Sequence, residues 1–215
     1  MEIKVSKSFL PYYKTKLLRV GKNNDGGYLI PENAIKDTKV LYSMGLSDDW
    51  SFEEHFLNIN NEAKIFTFDG SVTFKFWIKN FILNFIDLIS FKQSLKIFLK
   101  KSKFFFEYRS FFAKKNVIHI KKNIEEQVTD NPTIKQENSI SINRILHENG
   151  NNNFSMKIDI EGNEYRIIDD LVENQEGLNF LVIEFHNVDL MESHIKNFIK
   201  NLNLDLVHIH VNNYG

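Results

Sequence analysis

The chain is predicted to be α/β, with a mostly parallel sheet, helices on both faces and a helical insertion. Three observations carry this. From Lys39 onward, short β-rich apolar runs alternate with longer stretches of helical spacing, the pattern of βαβ units. Several of the runs end in polar residues, as strands do when their carboxyl ends line a ligand crevice. A length of 215 residues with 42% hydrophobic side chains provides one full core but not two large ones, so a single domain over residues 1–215 is expected.

Taken in order, Asn24-Asp25-Gly26-Gly27 reads as a tight turn requiring positive φ, placed before the first strand of the sheet. Strands are predicted near Val40–Met44, Ile65–Phe68, Val117–Ile120, Phe154–Ile160, Phe180–Phe185 and Leu204–His210. Helices fall between them. Ser51 is expected to cap a helix running to about Asn60, with Glu54 completing a capping box. Asn138–Glu148, Glu164–Val172 and Met191–Leu202 also show helical spacing of apolar residues.

Residues 74–112 break the alternation. They are crowded with Phe, Ile and Leu and studded with lysines, and no uncharged stretch approaches the ~20 residues that span a bilayer. The expectation is an inserted helical hairpin that packs on its own domain as a lid or forms a homo-oligomer contact. Peripheral membrane contact is the other reading of a basic, aromatic helical segment.

Charge and composition narrow the function. Lys plus Arg number 27 against 28 Asp plus Glu, which gives no electrostatic reason to expect a nucleic-acid partner. The absence of cysteine excludes disulfides and thiolate metal sites and fits a reducing cytosol. Met1–Ser6 lacks the apolar core of a signal peptide, so a cytoplasmic location is expected, with any membrane contact at the inner face.

The strand ends supply the chemistry. Asp159 and Glu161 alternate along a strand that otherwise reads apolar, so they share a face, and such paired carboxylates need a cation, a ligand or a shared proton. The plain alternative is that they cap the next helix and face water. Gly45 permits close backbone approach before a helix start, and Asp69 could accept two hydrogen bonds from a ribose diol. Glu184 and His186 share a face, as do His208, His210 and Asn212. Imidazoles beside carboxylates serve as divalent-cation ligands, as acid/base groups or as ordinary structural hydrogen bonders. His55, His119, His147 and His194 lack matching partners and read as structural or exposed.

Six pieces in order give the chain a resemblance. They are Arg19-Val20-Gly21, Asn24-Asp25-Gly26-Gly27-Tyr28, Tyr42-Ser43-Met44-Gly45 leading to Ser51-Phe52-Glu53, Lys157-Ile158-Asp159-Ile160-Glu161-Gly162, Ile183-Glu184-Phe185-His186, and His208-Ile209-His210 with Asn212-Asn213-Tyr214. Together they resemble the FkbM-type methyltransferases over most of the chain apart from the insertion. The resemblance implies a Rossmann-like fold, S-adenosylmethionine as cofactor, and methyl transfer to a hydroxyl of a sugar or other small metabolite. It implies Gly45 under the methionine part of the cofactor, Asp69 on its ribose, Asp159 and Glu161 beside the sulfonium, and His186 or His208 as base. Some related enzymes use a metal, and Asp159, Glu184 and His210 are the residues that would hold Mg²⁺ here.

The chain departs from the family in two respects. A first loop with several glycines is reduced to Gly45, and the sequence stops at Gly215, before a further strand that usually pairs beside the fifth. A truncated, non-catalytic binding module is therefore one alternative function, and a metal-dependent hydrolase using Asp159, Glu184, His186 and His210 is another.

Overall fold

A computed structural model describes residues 9–11, 13–23, 26–126, 138–150 and 152–210. The chain enters through an antiparallel hairpin, β1 (Leu17–Val20) and β2 (Tyr28–Pro31), and a short helix α1 (Glu32–Asp37). Then follow β3 (Val40–Met44), α2 (Ser51–Ile59), β4 (Lys64–Phe68), the long helices α3 (Phe74–Ile89) and α4 (Leu95–Phe112), and β5 (Val117–Ile120). Two short strands, β6 (Asn123–Ile124) and β7 (Ser139–Ile140), precede α5 (Ile142–Asn149). The remainder is β8 (Phe154–Ile158), α6 (Glu164–Glu173), β9 (Leu178–Ile183) and α7 (Val188–Asn201).

Five of these strands form one parallel sheet in the order β5-β4-β3-β8-β9. The fold is Rossmann-like α/β, as the sequence predicts. Strand side chains alternate between the faces, and both faces are covered. From β3, Tyr42 and Met44 join Phe66, Phe68, Phe154, Met156 and Ile158 under α5, α6 and α7. Leu41 joins Ile65, Val117 and Phe180 on the other side, against Phe52 and Phe56 of α2, Phe111 of α4 and the hairpin residues Val20 and Ile30. Each core follows from the periodicity of its elements. Ile142, Ile145 and Leu146 recur at helical spacing on α5, as do Ile167, Ile168 and Leu171 on α6.

The central strands lie where expected, but several edges differ. The strand read as Phe154–Ile160 ends at Ile158, because Glu161 and Gly162 turn with φ of +56° and +98°. The strand read as Phe180–Phe185 runs from Leu178 to Ile183. No strand forms over residues 204–210, so His208 and His210 do not project from a strand end. Ser51 is not a cap: it is the first residue of α2, and the carboxylate of Asp49 accepts its backbone N–H at 3.0 Å. Within the stretch read as a helix from Asn138, Ser139–Ile140 pairs with β6, and Ser141 caps a helix that begins only at Ile142. Of the N-terminal turn, Gly26 has the expected positive φ of +81°, while Asn24 and Asp25 lie outside the described residues.

The insertion is the helical pair α3 and α4, capped by the side chains of Thr73 and Ser94. Its base is anchored in aromatic contact, Trp50 with Phe104 at 4.7 Å between ring centroids and Trp77 with Tyr108 at 4.9 Å. No residue from 78 to 103 is buried. No helix among the described residues is long and apolar enough to cross a membrane.

Gly45 sets how closely β3 and β8 approach at their carboxyl ends. It has φ +79°, and an added Cβ would meet the Asp159 carbonyl oxygen at 1.5 Å. Gly45→Ala is therefore expected to lower stability by about 3 kcal/mol or more, combining a left-handed backbone with a clash against another strand's backbone. Thermal melting checks this; a shift of only a degree or two would show that the loop yields.

Candidate functional site

The strand order reverses direction between β3 and β8, and that switch point is where an open parallel sheet leaves a crevice outside its carboxyl ends. Gly45 and Asp159 sit there back to back. The amide of Asp159 donates to Met44 O at 3.0 Å and that of Gly45 to Phe68 O at 3.0 Å, so the ladder continues one residue past each strand. Gly45 is thus a glycine because the Asp159 backbone fills its side-chain space.

Around Asp159 two polar clusters meet. In the first, the Tyr28 hydroxyl lies 3.3 Å from Asp159 Oδ2 and 3.1 Å from Glu184 Oε2. One phenolic proton serves two carboxylates. Burial, followed by the charges of Asp159 and Glu184, pushes the Tyr28 pKa far above its ordinary value, so the phenol stays protonated as a donor. Lys157, 5% exposed, donates to Gly45 O at 2.9 Å, lies 3.7 Å from Asp159 Oδ2 and stands 5.9 Å from the centre of the Tyr28 ring.

In the second cluster, His186 Nδ1 is 3.2 Å from Glu164 Oε1 and Nε2 is 3.6 Å from Glu161 Oε2. Glu164 is fully buried, and its Oε1 also accepts the backbone amides of Ile160 and Gly162 at 2.9 and 3.2 Å. With Glu164 accepting from Nδ1–H, the imidazole lone pair resides on Nε2. Glu164 Oε2 is buried without a hydrogen-bond partner among the described residues.

The sequence-derived residues are only partly brought together. Asp159, Glu184 and His186 converge at the ends of β8 and β9. Asp159 and Glu161 do not alternate on a strand face, since Glu161 lies in the left-handed turn with its side chain 89% exposed. The anticipated metal set Asp159, Glu184 and His210 is not the one that gathers: among the described residues, the three groups offering donor atoms within 4.8 Å of one another are Asp159, Glu164 and His186. Two carboxylates and one imidazole, one carboxylate oxygen lacking a partner, form a donor set that fits a divalent cation. His208 and His210 lie in an irregular segment with their rings stacked 6.4 Å apart. Burial, then the neighbouring His210 and Arg19, lower the His208 pKa. Asn212 lies outside the described residues.

Asp69 ends β4 as expected, but its carboxylate is already engaged. Oδ2 accepts the Ser47 amide at 2.6 Å, and Oδ1 accepts the Ser71 amide and hydroxyl at 2.7 and 2.6 Å and the Val72 amide at 3.3 Å. Most of these bonds fall on Oδ1, and Oδ2 accepts the Ser47 amide. The residue pins the loop after β3 to the turn after β4, and three of its bonds are the local Asx kind.

Sequence reading passed over Tyr28 as a site residue, and also Lys157, Glu164 and Glu53. Lysine inside a strand buried on both faces was the available signal for Lys157. Glu164 as the first residue of a helix reads as an ordinary first-turn carboxylate, and nothing near Tyr28 marks its distant partners. Glu53, on the first turn of α2, is 1% exposed and accepts from the Ser43 hydroxyl. Burial raises its pKa, against the opposing influence of Lys157 and Ser43.

Two measurements follow. Because the folded pKa of Glu53 lies above its ordinary 4.5, folding takes up a proton; that stabilisation is complete below pH 4.5 and is lost as pH rises through the folded value. The melting temperature of Glu53→Gln relative to the natural chain should therefore climb as pH is raised from 4.5, and a pH-independent difference would refute the assignment. Asp69→Ala should destabilise the fold by about 1–3 kcal/mol through lost loop bonds, measured by denaturant unfolding without any ligand. Unchanged stability would show that these bonds do not hold the loops.

Compared with models of known protein families, with curated proteins and with solved structures, the chain matches none.

Proposed function

We propose that the chain is an S-adenosylmethionine-dependent methyltransferase of the FkbM type, acting on a hydroxyl of a sugar or other small metabolite. The observation that carries this reading is the convergence of Tyr28, Asp159, Glu184 and His186 at the switch point of a sheet ordered β5-β4-β3-β8-β9. The residues that the resemblance assigns to the donor and acceptor sides, Asp159 and His186, come within one cluster there. S-adenosylmethionine would supply a methyl group on a cationic sulfur.

The chain's own residues have separable tasks. Asp159 and Glu184 place negative potential at the edge, suited to a sulfonium, and Tyr28 holds the two carboxylates at a fixed spacing. His186 Nε2 would accept the proton of the acceptor hydroxyl as its oxygen takes the methyl group and the sulfur leaves as a neutral thioether, and Glu164 at Nδ1 would stabilise the resulting imidazolium. Glu161, beside Nε2 at the rim, is a further acceptor for that proton. This division favours His186 over His208 as the base, because His186 has an orienting carboxylate.

A second reading, a metal-dependent hydrolase, is supported by the grouping of Asp159, Glu164 and His186 around one point. Isothermal titration of the protein with S-adenosylmethionine, and separately with Mg²⁺ and Mn²⁺, divides the two. Binding of the nucleoside with no dependence on metal supports methyl transfer; tight Mn²⁺ binding with no response to S-adenosylmethionine overturns it. If the first reading holds, His186→Gln should cut turnover by about 10²-fold or more while leaving the cofactor dissociation constant within a few-fold. Equal loss in both would make His186 a binding residue.

A further inference from the structure

We propose that the distal half of the α3–α4 pair is a membrane-docking finger that seats its apolar sides in the interfacial region of an anionic bilayer. The base of the pair belongs to the fold: Trp77 and Phe111 are buried, and Phe104, Tyr108 and Phe112 pack on Trp50. Beyond that aromatic anchor nothing from 78 to 103 is buried. Yet the residues there are those of a core. Ile78, Phe81, Ile82, Phe85, Ile86 and Ile89 recur at helical spacing along one side of α3 and are 44–59% exposed. An amphipathic helix ordinarily buries such a stripe, and here it stays about half exposed, with Phe81 and Phe85 meeting only Phe98 of α4 in ring contact.

The tip is more extreme. Phe91, in the turn between the helices, holds φ +57° and is 96% exposed, and Leu95 beside it is 60% exposed. Phe98 stacks across the pair on Phe81 and Phe85 at 5.8 and 6.2 Å, so the finger has a thin interior of its own and a larger apolar exterior. A contiguous exposed apolar surface of this kind marks a contact site.

Charge identifies the occupant. Seven lysines and Arg109 against Asp87 and Glu107 give residues 74–112 a net charge of +6, in a chain whose total is −1. Lys92 and Lys96 flank the exposed tip. Apolar side chains ringed by long cationic ones match a bilayer interface, where rings and aliphatic chains enter the acyl boundary and ammonium groups reach anionic headgroups. Two fingers meeting tip to tip would set like charges against each other, which disfavours a second copy.

The test is flotation of the full chain with vesicles of phosphatidylcholine alone and of phosphatidylcholine mixed with phosphatidylglycerol. The natural chain should float with the mixed vesicles, float less with the neutral ones, and be released by salt. Phe91→Asp with Leu95→Asp, and separately Lys92→Glu with Lys96→Glu, should each lower partitioning by about tenfold or more, with melting temperatures unchanged. Failure to float with the mixed vesicles, equal flotation with neutral ones, or undiminished flotation of either variant overturns the proposal. So does a dimer in sedimentation analysis that the tip variant dissolves while vesicles bind neither form. The readout needs no methyl donor, so it stands apart from the proposed catalysis.

Discussion

A buried ammonium group holds the carboxyl edge of this protein together. Lys157 rises from the middle strand β8 and reaches the Gly45 carbonyl, the Asp159 carboxylate and the field of Glu53 while retaining almost no contact with water. Removing one partner of such a buried set costs about 3–5 kcal/mol, because the charge that remains has no solvent to replace it. Exposed pairs such as Lys36 with Glu32 and Lys196 with Glu192 contribute far less, because water screens them. The edge therefore has one arrangement, in which the ends of β3 and β8 are tied to the same cation.

That constraint is what lets carboxylates accumulate. Asp159, Glu161, Glu164 and Glu184 crowd the ends of two neighbouring strands, an arrangement that would repel itself if left uncompensated. Lys157 offsets Asp159 from below, the Tyr28 proton lies between Asp159 and Glu184, and backbone amides with His186 hold Glu164. The negative potential that remains outward is the feature a cationic ligand would meet. A sulfonium and a divalent metal ion are both cations, which is why one geometry supports two chemical readings and a binding measurement separates them.

The molecule is also divided electrically. The finger carries the cationic excess, and the remainder of the chain is correspondingly acidic. An acidic body alone would be repelled by an anionic surface, and the proposed docking finger would offset that repulsion. The same segment that interrupts the β/α alternation thus has physical coherence: an aromatic base stitched into the core, and a distal part whose composition suits a boundary between water and hydrocarbon.

By itself the sequence determined the sheet. Buried parallel strands need short, mostly apolar, β-rich runs, and Val40–Met44, Ile65–Phe68 and Val117–Ile120 supply them; the helices follow from apolar spacing along α5, α6 and α7. It also marked Asp159, Glu184 and His186, since charged residues that follow an apolar strand fall at its rim. The segment at 204–210 misled because alternation in Val207–His210 is necessary for a strand but not sufficient: a strand also needs a neighbour to bond, and no pairing forms there. Only the tertiary structure decided which groups meet. Tyr28 lies 131 residues from Asp159 and 156 from Glu184, and Asp69 gives its lone pairs to its own loops, because hydrogen bonds are settled by three-dimensional distance, which local sequence pattern does not encode.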